Sequence, residues 1–221
     1  DFDPEEIKRK VSINTAVANF VTDDIKVNII DTPGLFDFEG GMREGITAAG
    51  TVMITVSGKS GVKVGTKKAY KFAEKLGKSK VFVITKLDDP NANFYNTLTE
   101  LKTVFGPTVC PVVVPVIQNG EIASYINLIE MKAYKYDDKG NAVETAMPEG
   151  DITDKMDYRL DGLIQAISEA VAETDDELME KFFEGTAFTQ KELIDGIHKG
   201  VNSGMITPVL ASSAVSLHKE T

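Results

Sequence analysis

The stretch Asp31-Thr32-Pro33-Gly34 places an acid, a hydroxyl, a proline and a glycine directly after an apolar run. We predict a buried strand for that run, because Val27, Ile29 and Ile30 leave little polar surface on either face. Asp31 then lies at the carboxyl end of a strand, where open α/β sheets bind ligands. Proline ends the hydrogen-bond ladder, and the glycine amide can approach an anion closely. The four residues suit a site that senses a phosphate and its magnesium ion.

A second group of residues that could bind a ligand, Thr85-Lys86-Leu87-Asp88, follows the apolar run 80–84. A carboxylate at the end of a strand can accept hydrogen bonds from N1–H and the exocyclic amine of guanine together. Adenine lacks that pair of donors, so such a site rejects the wrong base. Taken alone, both groups have a plainer interpretation. The first is also compatible with a Pro-Gly turn after a strand, and the second with a charged turn.

Their order and distance favour a specific family. Asp31-Thr32-Pro33-Gly34 resembles switch II of the translational GTPases, and Phe36-Asp37-Phe38 is similar to elongation factor G and its paralogues. Thr85-Lys86-Leu87-Asp88 resembles the Asn-Lys-x-Asp element that recognises guanine, with threonine in place of asparagine. The stretch 173–185 closely resembles the inserted subdomain of elongation factor G, which small signalling GTPases lack. The resemblance covers nearly the whole chain.

The resemblance implies roles for individual residues. Ser12 stands at the magnesium-binding threonine of the switch I tail, although Lys10 replaces a glycine there. Asp31 would assist magnesium, Gly34 would sense the terminal phosphate, and Asp88 would select guanine. The implied metal ligands are Ser12 and Asp31, and the implied cofactors are GTP or GDP with Mg²⁺. The implied nucleotide-binding residues are Asp31, Thr32, Pro33, Gly34, Leu35, Thr85, Lys86, Leu87, Asp88, Ser212, Ser213 and Ala214.

Leu35 departs from the family at the position that concerns hydrolysis. The elongation factor pattern places a histidine directly after Asp-Thr-Pro-Gly, where it positions the attacking water. Leucine neither donates nor accepts a hydrogen bond, so the resemblance assigns no catalytic residue. Three functions are compatible with the sequence. They are a ribosome-stimulated GTPase of protein synthesis, a nucleotide-gated ribosome-binding or ribosome-protection module with little hydrolysis, and a purely structural α/β domain.

The phosphate loop of such a domain is not found in the sequence. Gly58-Lys59-Ser60 is not predicted to form one, because Met53 stands inside a strand where the loop requires a glycine. In the family, that loop and its strand would lie upstream of Asp1. The expected fold is therefore an α/β, P-loop-GTPase-like, mostly parallel sheet that lacks its first strand and phosphate loop and carries an α+β insert. The segment alone is expected to be inactive.

Hydrophobic periodicity and turn residues predict the remaining elements. A hairpin joins the segment 11–20 to the Asp31 strand, and a second hairpin turns at 137–141. The expected domain ranges are 1–108 and 204–221 for the G domain, with the insert at 109–203. Other strands are predicted at 51–56, 80–84, 112–116 and 206–210, the third at a sheet edge; helices are predicted at 38–49, 66–76, 89–105, 152–171, from 174 onward, and at 191–200.

Composition restricts the partners and the compartment. The chain has 221 residues and a formal net charge of −10, which argues against broad electrostatic binding of nucleic acid, DNA included, but allows ribosome contact through a local patch or through protein. Its single cysteine, Cys110, forms no internal disulfide and fits a reducing cytoplasm. No segment is apolar for long enough to cross a membrane. The resemblance implies the ribosome as a partner.

Without the strand that precedes the phosphate loop in the family, the Asp31 strand and the Thr51 strand would each have an unpaired edge. We expect the Asp31 and Thr51 strands to pair with each other, or to accept a foreign strand by exchange. That strand would come from a second copy of the chain or from the run 112–116.

Overall fold

The computed structural model describes residues 2–137, 140–153 and 158–213. The described chain forms two compact units, and each has its own elements. The first unit comprises residues up to 52 together with 63–78, and the second comprises 53–62 together with the residues from 79 onward. No helix in these described ranges is long and apolar enough to span a lipid bilayer.

The first unit contains a two-stranded antiparallel hairpin and three α-helices. Strands β1 (Ala16–Thr22) and β2 (Ile25–Asp31) pair so that Ala16 lies opposite Asp31. Asp23 and Asp24 make the turn in left-handed conformations, which short polar side chains tolerate. The helices are α1 (Pro4–Arg9), α2 (Glu39–Ala48) and α3 (Val64–Lys75), with a short 3₁₀ helix at Phe36–Phe38.

The predicted strand before Asp31 exists, but the prediction that it is buried is wrong. Val27 and Ile30 are half-buried, and Ile29 remains 46% exposed. On the partner strand, Val17 and Val21 are also exposed. A two-stranded sheet buries apolar residues only where another layer covers it. The apolar run therefore predicts a strand, but it does not predict whether another layer covers that strand.

A mostly parallel sheet forms the base of the second unit. Its strands lie in the order β3 (Thr51–Ser57, whose first two residues belong to the first unit), β4 (Ser79–Thr85), β10 (Thr207–Ala211) and β5 (Val109–Pro111). The last strand in the sequence, β10, lies between β4 and β5 and runs parallel to both. The α/β architecture with a parallel sheet is thus confirmed. Helices α4 (Phe94–Phe105), α5 (Leu160–Ala172), α6 (Asp176–Phe183) and α7 (Gln190–Ser203) belong to the same unit.

The second sheet of this unit is antiparallel and corresponds to part of the expected insert. Its strands are β6 (Val113–Gln118), β7 (Glu121–Asn127), β8 (Lys132–Tyr136) and β9 (Ala142–Thr145), in that order. The edge position of the proline-containing strand β6 is confirmed, as is the hairpin between β8 and β9. The Asp137 carboxylate accepts the Asn141 amide at 2.8 Å and closes that turn.

Two expectations about strand pairing are wrong. Within the described ranges, β2 pairs with β1 and β3 pairs with β4, so the Asp31 and Thr51 strands do not pair with each other. The run 112–116 does not fill the position either, because β6 pairs with β7. Pairing with β1 satisfies the backbone groups on one edge of β2, and pairing with β4 does the same for one edge of β3. Exchange with a second copy of the chain stays a prediction.

Candidate functional site

The residues predicted to recognise the base lie at the carboxyl ends of two neighbouring parallel strands. In the register of β4 and β10, Ile84 lies opposite Ala211. Directly beyond the strands, the Ser212 amide donates to the Ile84 carbonyl at 2.9 Å. The Ser213 hydroxyl donates to the Asp88 carboxylate at 2.6 Å. Two motifs that are far apart in the sequence thus meet at one edge of the sheet. Ala214 lies outside the described residues.

The turn after β4 presents the Asp88 carboxylate to solvent. Lys86 adopts a left-handed conformation with φ of 59°, which is uncommon for a residue with a Cβ. This reversal turns the chain so that Leu87 is buried while Lys86 and Asp88 are exposed. Uncommon backbone conformations often occur at functional sites, where the surrounding packing holds them. The buried leucine provides that hold here.

Gly58-Lys59-Ser60 supports this turn from the neighbouring strand end. The Gly58 amide donates to the Thr85 carbonyl at 2.9 Å. A Cβ at Gly58 would lie only 2.8 Å from Leu87 Cδ2, so the close approach requires glycine. Lys59 Nζ lies 2.9 Å from the Asp89 carboxylate. The Asn91 amide, followed by this ammonium group, lowers the pKa of Asp89.

A cavity of 670 Å³ adjoins Asp88 on the side of the insert. Asp88, Asp89 and Ser213 line it from the sheet edge, and strands β7 and β8 line it with aromatic side chains. Tyr125 and Tyr136 make an edge-to-face contact there, with ring centroids 5.7 Å apart. Sequence reasoning missed this aromatic side of the cavity, because the return of the insert sheet toward Asp88 is a long-range feature.

The switch-like stretch lies in the first unit. Asp31 ends β2, Pro33 is buried, and Gly34 and Leu35 are exposed. Helix α2 lies close against this stretch at two glycines. A Cβ at Gly45 would come within 2.3 Å of Thr32 Cγ2, and one at Gly41 would come within 3.1 Å of Pro33 Cδ. These glycines allow the helix to pack on residues 31–34.

Ser12 lies in the bend between α1 and β1, which Glu6 stabilises. The Glu6 carboxylate accepts the Ile13 and Asn14 amides, each at 2.8 Å, and also those of Phe2 and Asp3. These bonds, led by that from Asn14, lower the pKa of Glu6 to about 2. Glu6 was missed in the sequence, although Asp3-Pro4-Glu5-Glu6 has the pattern of a capping box with proline at the first helical position.

Comparison with known proteins shows the family to which this fold belongs. Residues 1–219 match the family described as Elongation factor Tu GTP binding domain. The chain belongs to this family. A guanine nucleotide is therefore the ligand that the family implies, and the recognition of an elongation factor G-like GTPase segment is confirmed.

Individual proteins of this family align with nearly the whole length of the GTP-binding domain. A Mycobacterium tuberculosis "Elongation factor G-like protein" is 34% identical over 95% of the chain, and one from Thermotoga maritima is 32% identical over 97%. A crystal structure of a Thermus thermophilus protein matches 99% of the chain with a TM-score of 0.86 and 31% identity. The chain spans only 28% and 30% of the two curated relatives and 32% of the solved chain.

The first unit carries two oxygen donors, Ser12 and Asp31, that the family resemblance assigns to a magnesium ion. Ser12 supplies a hydroxyl and Asp31 a carboxylate, which are ligand types that Mg²⁺ accepts. No group of three or more His, Cys, Asp or Glu side chains that could hold a metal occurs in the described part of the chain. Magnesium in nucleotide sites needs only one or two protein ligands, because phosphates and water supply the rest. The donor set is therefore compatible with the ion.

Proposed function

We propose that the chain is the guanine-nucleotide-binding segment of an elongation factor G-like GTPase that acts on the ribosome in protein synthesis, in the cytoplasm. The observation that carries the proposal is the contact between Asp88 and Ser213 at the ends of β4 and β10. This contact joins the turn after β4 to the loop after β10, and these are the two stretches proposed to recognise the base. The carboxyl ends of neighbouring parallel strands are where open α/β sheets bind ligands, which supports a shared ligand for the two motifs.

Each motif has a defined part in the proposed site. Asp88 accepts N1–H and the exocyclic amine of guanine, the stem of Lys86 lies along the base, and the 212–214 loop holds O6. Thr85 and Leu87 shape the turn that presents these groups. Gly34 offers its amide to the terminal phosphate, beside Thr32, Pro33 and Leu35. Ser12 and Asp31 hold Mg²⁺, which would neutralise charge on the phosphates.

The proposed organisation retains the ranges 1–108, 109–203 and 204–221, with the antiparallel sheet β6–β9 inside the insert. The main diphosphate-binding loop is not among these residues. In the proposal, the isolated segment therefore binds GTP poorly and does not hydrolyse it. The experiments on nucleotide binding use the full-length protein.

A change of base preference tests the proposed site. Asp88→Asn in the full-length protein should weaken GDP binding by roughly 10- to 100-fold, because an amide cannot accept both guanine donors. The same change should improve binding of xanthosine diphosphate, whose base offers an acceptor in place of the amine. Calorimetry with both nucleotides measures the two effects.

The neighbouring acid provides the matched control. Asp89→Asn removes an equal charge from the group that pairs with Lys59, and it should leave the preference for guanine intact. If Asp88→Asn leaves the ratio of GDP to xanthosine diphosphate affinities unchanged, Asp88 is not part of the base site.

Co-sedimentation of the full-length protein with ribosomes, in the presence of a GTP analogue or of GDP, tests the proposed partner. Equal absence of binding in both states would contradict it.

A further inference from the structure

Tyr125 is a residue of the insert that lines the cavity beside the proposed base site. It stands on β7, opposite Pro115 on one side and Tyr134 on the other. Its ring is half-buried and packs edge-to-face on Tyr136. Both tyrosines line the same cavity as Asp88 and Ser213. The insert thus brings a phenol group into the cavity that adjoins the carboxylate proposed to read guanine.

The state of that phenol is that of a hydrogen-bond donor. Burial, followed by the neighbouring Tyr136 and the negative charge of Asp88, raises the pKa of Tyr125 to about 12. The hydroxyl therefore stays protonated at physiological pH. Across the described residues, it makes no hydrogen bond to another protein group, whereas Tyr134 donates to Glu130 at 2.7 Å. Tyr125 has a proton to donate and a carboxylate nearby.

The hydrogen-bond capacity of Asp88 leaves room for this donor. An ionised carboxylate has about four lone-pair positions. Ser213 uses one of them at 2.6 Å. A bound guanine would use two more, through N1–H and the exocyclic amine. One position remains, and a donor there would fix the plane of the carboxylate and favour its charged form.

We propose that Tyr125 is a positioning residue of the base site, which donates its hydroxyl to Asp88 once guanine is bound and so orients the carboxylate toward the base. The inference rests on the proposed function, since it gives the insert a part in guanine recognition. Tyr136 holds the Tyr125 ring from the side, and Ser213 holds the carboxylate from the sheet. The insert and the sheet edge then both determine how tightly the base is bound.

The test compares Tyr125→Phe with wild type in the full-length protein. Phenylalanine keeps the ring contact with Tyr136 and removes only the hydroxyl. GDP binding should weaken by roughly 3- to 10-fold, the range expected for one net hydrogen bond. In an Asp88→Ala background, Tyr125→Phe should change GDP affinity by less than about 2-fold, because its partner is gone. Calorimetry on the four proteins gives the coupling.

Tyr134→Phe is the matched control, because it removes a hydroxyl from the register partner of Tyr125. That hydroxyl bonds Glu130 and does not line the cavity, so GDP affinity should not change. An unchanged affinity in Tyr125→Phe overturns the inference and leaves the proposed function standing. An equal loss in the Asp88→Ala background overturns it as well, because the effect would not pass through Asp88. Absence of GDP binding by wild type overturns the proposed function and this inference together.

A measurement without nucleotide tests the proximity of the two groups. The Tyr125 phenol can be followed by NMR of ¹³C-labelled tyrosine, with its resonance assigned by its loss in Tyr125→Phe. Asp88→Ala should lower the pKa of Tyr125 from about 12, because it removes a negative charge beside the phenol. The pKa of Tyr134 should stay where it is. An unchanged Tyr125 pKa would overturn the inference, even where a variant binds nucleotide poorly.

Discussion

Glu6 is a charged residue in the first unit with only 1% of its surface exposed. Its carboxylate joins the start of α1 to the bend that carries Ser12, through bonds from backbone amides at both ends. A buried carboxylate is tolerated when several donors satisfy it. One side chain therefore determines the path of the chain into β1.

Glu6→Gln should lower the melting temperature at neutral pH, because a neutral amide accepts these bonds less strongly. The folded-state pKa of about 2 lies below the ordinary value of 4.5. The stabilisation is therefore complete above pH 4.5 and is lost as the pH falls toward about 2. Thermal unfolding of both proteins across this range should show their difference shrinking with acid.

Glu5→Gln serves as the control for this acid dependence. Glu5 pairs with Arg9 on the exposed surface of the same helix. Such pairs contribute little to stability. If both variants behave alike at every pH, the backbone bonds of Glu6 do not provide the stabilisation.

Leu35 gives a prediction about chemistry at the same scale. Its side chain is 50% exposed, directly after the proposed phosphate-sensing glycine. Leu35→His in the full-length protein should raise ribosome-stimulated GTP hydrolysis by about 10-fold or more, because a positioned histidine can orient the attacking water. Single-turnover assays on purified ribosomes measure the rate. Phe36→His is the control, because it places a histidine one position further along, and it should not raise the rate. Equal rates in wild type and Leu35→His would mean that another group already orients the attacking water.

The placement of residues in the proposed site was predictable only where it depended on strand ends. Asp88 and Ser213 each follow an apolar strand, and parallel neighbours bring such residues to one edge. Tyr125 was not predictable, because its approach depends on how a distant sheet folds back. The need for glycine at position 58 was also hidden, since it arises from the Leu87 side chain in another loop.

At the scale of elements, the contact between α5 and α7 depends on a glycine. A Cβ at Gly196 would lie 2.5 Å from Val171 Cγ1, far inside normal contact distance. Gly162, in α5, has open space around its Cβ position. The two helical glycines therefore have opposite structural roles, one permitting close packing and the other only weakening a helix.

Substitution of these two glycines by alanine should have opposite effects on stability. Gly196→Ala should destabilise the protein by about 1–3 kcal/mol, because it overpacks a buried contact. Gly162→Ala should stabilise it by about 0.4–1 kcal/mol, because it restricts the unfolded chain at a compatible position. Urea unfolding measures both free energies. Destabilisation by both variants to the same degree would show that close packing at Gly196 is not the cause.

Periodicity predicted the elements better than their ends. The strands expected at 51–56, 80–84 and 206–210 occur as Thr51–Ser57, Ser79–Thr85 and Thr207–Ala211. The helix expected from 152 begins at Leu160, and the helix expected from 174 begins at Asp176, with Asp175 as its N-cap. Neighbouring residues of similar capping ability compete for the first turn, and tertiary packing decides between them. The sequence pattern alone does not contain that decision.

At the scale of the whole molecule, the β1–β2 hairpin has exposed apolar side chains, and its outer strand edges are unpaired among the residues that the structure describes. Val17 and Val21 are 71% and 68% exposed, and Ile29 is 46% exposed on β2. Exposed apolar strand edges favour pairing with another chain. We therefore predict that the isolated 221-residue chain self-associates by strand exchange.

Ile29→Lys should shift this self-association to about 10-fold higher protein concentration, because a charge on the strand opposes pairing. Sedimentation velocity over a concentration series measures the shift. Val143→Lys is the control, since it places the same charge on β9, another edge strand, at a side chain that is 52% exposed. A wild-type chain that remains monomeric throughout the series would refute the prediction.

The position of β10 has a consequence for the timing of synthesis. This strand fills the central place between β4 and β5, yet it is made about 120 residues after β4 ends. At about 5–20 residues per second, a growing chain waits roughly 6–25 s between the two. During that interval β4 and β5 each have a vacant edge, and Asp88 lacks Ser213. A nascent chain therefore forms the proposed guanine-reading edge only when β10 emerges, after the whole insert has been synthesised.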